Sequence, residues 1–107
     1  MRIRFWLHFP TNTWIRYQEI VKSEWPGESG DLLTKILEFP AVPRIGEKVV
    51  FHNVVSNIDF RVKDVYYGIS DNDVPVVVDL EIDPDFQQQD EKWYICSIQE
   101  YAAKGWE

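Results

Sequence analysis

The chain has 107 residues, 45% of them hydrophobic, and a formal net charge of −7. That length suits one domain over residues 1–107, burying roughly 65% of the surface its unfolded chain exposes, so the core needs neither disulfides nor metal. A lone cysteine, Cys96, excludes an internal disulfide and a cysteine-cluster zinc site and is compatible with a reducing cytoplasm; the negative charge disfavours nucleic acid and anionic membranes and favours a basic partner or plain solubility.

Residues 2–9 alternate, with Ile3, Phe5, Leu7 and Phe9 on one face and Arg2, Arg4, Trp6 and His8 on the other, the period of a half-buried strand. This opening run is interrupted by His8 and ended by Pro10, and no small-residue cleavage site follows, so it does not read as a signal peptide. No stretch approaches the roughly 18 apolar residues of a membrane span. Residues 10–13 read as a turn. Residues 14–21, rich in β-branched and aromatic side chains, read as a second strand in a hairpin with the first. Residues 22–31 form a loop holding Trp25. Residues 32–39 are a strand or a short helix capped by Asp31, with strand preferred.

From Phe39 to Phe51 the chain stops, turns and restarts. Pro40 and Pro43 remove two backbone donors, so no central strand passes through them. Ile45 and Gly46 suit the middle of a type II turn, with Gly46 at positive φ. Residues 48–52 then begin a strand, and residues 53–57 can turn. Residues 60–67 form a longer strand whose alternation breaks once, predicting a β-bulge near Lys63 and Asp64. Residues 68–73 are turn-rich. Residues 74–82 alternate best, with Val74, Val76, Val78, Leu80 and Ile82 inward. The expected core comprises Ile3, Phe5, Leu7, Val62, Val76, Val78 and Leu80.

Residues 90–104 read as a helix, since Tyr94, Ile95, Ile98, Tyr101 and Ala102 recur on one helical stripe and Gly105 suits its stop. The alternative makes residues 93–96 a short strand and starts the helix at Ser97, which has capping-box spacing to Glu100. The expected fold is mainly β: a small, highly twisted antiparallel sheet or barrel of five to seven strands with a C-terminal helix packed on it.

Residues 43–82 resemble small uncharacterised bacterial β-barrel proteins of SH3-like form. The shared features are Pro43-Arg44-Ile45-Gly46-Glu47, the strand Val49–Phe51, then Phe60, Val62 and Val65 and a final apolar strand. The resemblance implies a small, strongly bent sheet or barrel; a bacterial or phage origin belongs to the functional expectation. It implies no particular activity, because such barrels host many functions.

Candidate chemistry is sparse. His8 and His52 lie on different strands without metal-ligand spacing; surface or hydrogen-bonded structural roles outweigh zinc binding or acid–base work. Asp71, Asn72 and Asp73 begin like a calcium loop but lack the glycine and terminal glutamate, so they read as a turn. Asp79, Glu81 and Asp83 alternate along one strand as an acidic strip, with carboxylates roughly 6.6 Å apart by strand rise. A solvated face that discourages edge aggregation outweighs a mimic of nucleic acid. Pro40, Pro43 and Arg44 form a superficial polyproline pattern but sit where a structural turn belongs, with Pro43 and Gly46 as its key residues.

Five tryptophans are the least ordinary feature. Arg4, Trp6, His8 and Trp14 form a candidate interaction surface, since Trp and Arg are enriched where proteins meet. The competing reading has the C-terminal helix cover this face as a second core layer. The leading functional expectation is a non-enzymatic, cytoplasmic protein-binding module with no catalytic residues, no metal and no cofactor. Its rivals are a small-ligand or enzymatic barrel that uses His8 or His52, and a structural subunit of a homo-oligomer.

Overall fold

The computed structural model describes all residues except 11, 12, 23, 28–31, 53, 55, 56 and 69–75. The expected Asp71–Asn72–Asp73 turn, the Asp31 cap and Val74 therefore lie outside the described residues. In chain order the elements are β1 (Arg2–His8), α1 (Thr13–Val21), β2 (Leu32–Glu38), β3 (Lys48–Val49), β4 (Phe60–Tyr67), β5 (Val76–Ile82) and α2 (Glu91–Ala103). The strands make one five-stranded sheet in the order β2-β1-β5-β4-β3, curled into a half-barrel. The fold is mainly β with a C-terminal helix.

The sheet is mixed where all-antiparallel pairing is expected. β1 runs parallel to β5, with Arg4 beside Val77 and His8 beside Glu81. Alternation dictates which side chains face inward but carries no information on strand direction. Phe5 beside Val78 and Leu7 beside Leu80 bury the same face in either direction.

Residues 14–21 are helical, which removes the expected first hairpin. Thr13, Trp14, Tyr17 and Val21 fall at i, i+1, i+4 and i+8, a helical stripe. Thr13 and Tyr17 are buried, and Trp14 and Val21 pack against the core. This packing outweighs the strand propensity of the segment. Thr13 anchors the first turn on Pro10, whose carbonyl accepts from the Thr13 N–H at 3.1 Å and Oγ1 at 2.5 Å. The helix ends at Lys22, which adopts φ +58°. The antiparallel partner of β1 is instead β2, with Ile3 opposite Leu37 and Leu7 opposite Leu33. Residues 32–38 are thus a strand, as preferred from the sequence.

The central turn closes between Arg44 and Glu47, whose N–H donates to Arg44 O at 3.0 Å, and Gly46 takes φ +89°. Gly46 N–H donates to Val62 O and Val62 N–H to Glu47 O, which pins the turn to β4. β3 is shorter than expected because Phe51 leaves the sheet for the core, where its ring centre lies 5.1 Å from that of Trp106. The register shift between Val62 and Asp64 is the bulge expected near Lys63.

α2 is one continuous helix from Glu91, so residues 93–96 are not a strand. Asp90 is its N-cap, accepting from Trp93 N–H at 2.8 Å. At the other end Gly105, at φ +94°, donates to Ala102 O while Trp106 N–H donates to Tyr101 O, a Schellman stop. Every residue of the expected core is buried, and α2 adds Ile95, Ile98 and Tyr101 to the same cluster. Full burial of each large apolar side chain contributes about 1.5–3 kcal/mol. α2 therefore packs on the face of the sheet that holds Phe5 and Phe60. The face that holds Trp6 has no helix on it among the described residues.

Candidate functional site

On the outer sheet face β1 supplies Arg4, Trp6 and His8, β5 supplies Val77, Asp79 and Glu81, and β4 supplies Arg61, Asp64 and Tyr66. Trp6 is half-buried at its centre. Its ring centre lies 5.9 Å from that of Tyr66, with the planes at 43°, and Tyr66 is 45% exposed. The nearby charge of Asp64, with smaller contributions from partial burial and Asp79, holds the Tyr66 phenol above its ordinary pKa. Tyr66 is absent from the sequence-derived surface, although outward alternation after the bulge would have placed it beside Asp64.

His8 Nε2 sits 2.6 Å from Asp79 Oδ1. No donor is aligned on that oxygen, so the contact is a close approach rather than a directed hydrogen bond. Asp79 is only 5% exposed, which overturns the picture of a solvated acidic strip. Asp83, at 1%, departs from it further. Its carboxylate accepts from Asp85 N–H at 2.9 Å in an Asx turn and from Arg61 Nη2 at 3.2 Å, with Lys48 Nζ at 3.7 Å. The Asp85 N–H and then the two cations hold its pKa below the ordinary value against the opposing effect of burial. Of the three acids, only Glu81 stays half-exposed. The three do not form a row of phosphate-like charges.

Trp14 does not join Trp6, because it lies on α1 against the core. Trp25 and Trp106 are buried, and Trp93 packs against the core from α2. Trp6 is thus the tryptophan on the outer sheet face. His52 is exposed and on no strand. Pro43 and Gly46 belong to the turn pinned on β4.

A concavity of about 570 Å³ opens where β1 and β5 both end. Thr13 and Arg16 of α1, Asp83 and Pro84 after β5, and Glu91 and Tyr94 of α2 line it. Arg16 spans it, donating to Glu91 at 2.9 Å and to Glu19 at 2.8 Å. Sequence reading misses this cleft because it depends on the parallel pairing. Neither histidine lines it. Among the described residues no three His, Cys, Asp or Glu side chains are grouped to hold a metal ion, and no helix is long and apolar enough to cross a membrane.

Compared with known family models, curated proteins and solved structures, the chain matches none.

Proposed function

We propose that this protein is a non-enzymatic binding module that engages a partner protein through the outer sheet face around Trp6. The observation that carries this reading is the placement of both helices against the inner face, which leaves Trp6 and Tyr66 in tilted ring contact, with Arg4 on the same outer face. A rigid amphipathic aromatic pair beside an arginine is the composition of interface anchors. A sheet supplies it with a fixed geometry. The net charge of −7 draws in a partner with a basic surface. A cytoplasmic setting is supported by the lone thiol of Cys96, which lies free on the surface. A bacterial rather than phage origin is the reading that the resemblance carried by Pro43 to Glu47 favours.

The test compares tagged wild type with Trp6→Ala and Tyr66→Ala in quantitative capture from a host extract, alongside thermal melts. Loss of the same captured protein in both variants, with melting temperatures close to wild type, supports the reading. A sharp fall in melting temperature for Trp6→Ala, or capture that is indifferent to both substitutions, removes it.

A further inference from the structure

The outer edge of β2 has a pairing lane that the fold leaves partly filled. Antiparallel strands alternate between residues that bond toward one neighbour and residues that bond toward the other. Met1 and Phe39 exchange both of their backbone bonds, at 2.9 and 2.8 Å, so the odd-numbered residues of β2 turn toward β1. Thr34 turns the other way and exchanges bonds of 2.7 and 3.0 Å with Glu107. Ile36 and Glu38 share the parity of Thr34, so their N–H and C=O groups also point outward. No described residue hydrogen-bonds those four groups.

We propose that this lane docks an extended segment of a partner protein, one presenting an apolar or β-branched residue opposite Ile36 and, two residues away, a Lys or Arg opposite Glu38. The inference rests on the protein-binding reading and specifies the partner's chemistry. Glu107 already occupies the lane at Thr34 in a two-bond bridge, so the edge accepts extended backbone. The Glu38 side chain is 75% exposed at the far end of the lane; its Oε2 lies 3.4 Å from the exposed Met1 ammonium on the β1 side, and a cation directly across the ladder on the other side would be a second favourable partner. Ile36 lies beside Arg4, so an added strand would widen the outer face on the side of β2 away from Trp6.

A second copy fits this lane poorly. Antiparallel β2–β2 pairing centred on Ile36 would set Glu38 against a Thr34 that Glu107 already occupies; centred on Leu37, it would set each Ile36 against a carboxylate of the other copy, supply no cation to either Glu38 and bring Pro40 against the occupied Thr34. Centred on Glu38, it would oppose two carboxylates and bring Pro40, which has no N–H, across from Ile36. Addition of an extended peptide to an exposed edge draws affinity from main-chain bonds and specificity from alternate side chains.

The probe is a blocked five-residue peptide with Val and Lys two positions apart, titrated to millimolar concentration against the labelled protein. The Ile36 and Glu38 amide resonances should shift and their hydrogen exchange should slow. Replacing the peptide Lys by Glu should weaken binding about two- to five-fold, the worth of one cross-strand charge pair. Methylating the peptide nitrogens that face β2 should abolish it. Ile36→Pro deletes an outward N–H that bonds nothing described, a change that edge strands tolerate, and should abolish docking in a folded protein. If Ile36→Pro does not fold, Glu38→Lys serves instead and should reverse the preference between Lys and Glu peptides.

The proposal is overturned if the peptide perturbs other amides only, if the methylated peptide binds equally well, or if the edge instead pairs with a second copy, seen as a concentration-dependent mass. A short peptide confined to the edge should be indifferent to Trp6→Ala. Failure here therefore leaves the Trp6 test standing, and failure of that test leaves this result interpretable.

Discussion

Gly46 shows how one residue can direct a longer stretch of chain. At φ +89° it sits where a side chain is strained, although open space surrounds the position a Cβ would take. The strain is therefore purely backbone. Gly46→Val should cost about 1–3 kcal/mol, whereas Gly46→Asn should cost less, because Asn tolerates the left-handed region. Denaturant melts of the two variants check this, and equal midpoints would remove the backbone account. Gly46 and Gly105 were legible because a proline-bounded turn and a helix end each demand a known dihedral. The burial of Asp79 and Asp83 was not, since outward alternation says nothing about whether His8, Arg61 and Lys48 will converge on a carboxylate.

At the scale of elements, β1, β5 and α2 were readable because each buries one face with an unbroken period, β4 because a single bulge restores its alternation, and β2 only as the preferred of two readings. α1 was misread because its aromatic and β-branched residues satisfy strand propensity, while the stripe of Thr13, Trp14, Tyr17 and Val21 satisfies helix period; packing decided between them. Its end carries a cost. Lys22, at φ +58°, occupies the position where glycine commonly stops a helix. Lys22→Gly should stabilise the protein by about 1 kcal/mol, the relief of a left-handed non-glycine residue, read as a raised melting temperature. An unchanged or lower value would mean that the added freedom of glycine in the unfolded chain offsets that relief. The parallel pairing of β1 with β5, and the cleft it creates, had no local signal, because direction is settled by the intervening connections.

For the whole molecule, acid stability should run through Asp83. Its pKa is lowered in the fold, so its contribution is fully present above the ordinary value of 3.8 and is lost as pH falls through the folded value. Wild type should lose melting temperature steeply below about pH 4, by the linkage of proton uptake to unfolding. Asp83→Asn should start lower near neutral pH and show a shallower acid limb. Parallel curves for the two proteins would show that other carboxylates control the acid transition. The Asp83 cluster joins β3, β4 and the turn after β5, so its protonation loosens the half of the sheet remote from β2.

The parallel pair also bears on the order of assembly. β1 meets β5 across about 70 intervening residues, and β5 is the neighbour that joins it to the rest of the sheet. Such non-local pairing must meet its loop-closure entropy before contacts repay it, which slows the search relative to a fold of local hairpins. During synthesis β1 can gain β2 early, but its other lane stays open until β5 has emerged. For that interval a strand that carries three core side chains, Ile3, Phe5 and Leu7, exposes an unpaired edge, the species in which chain association competes with folding.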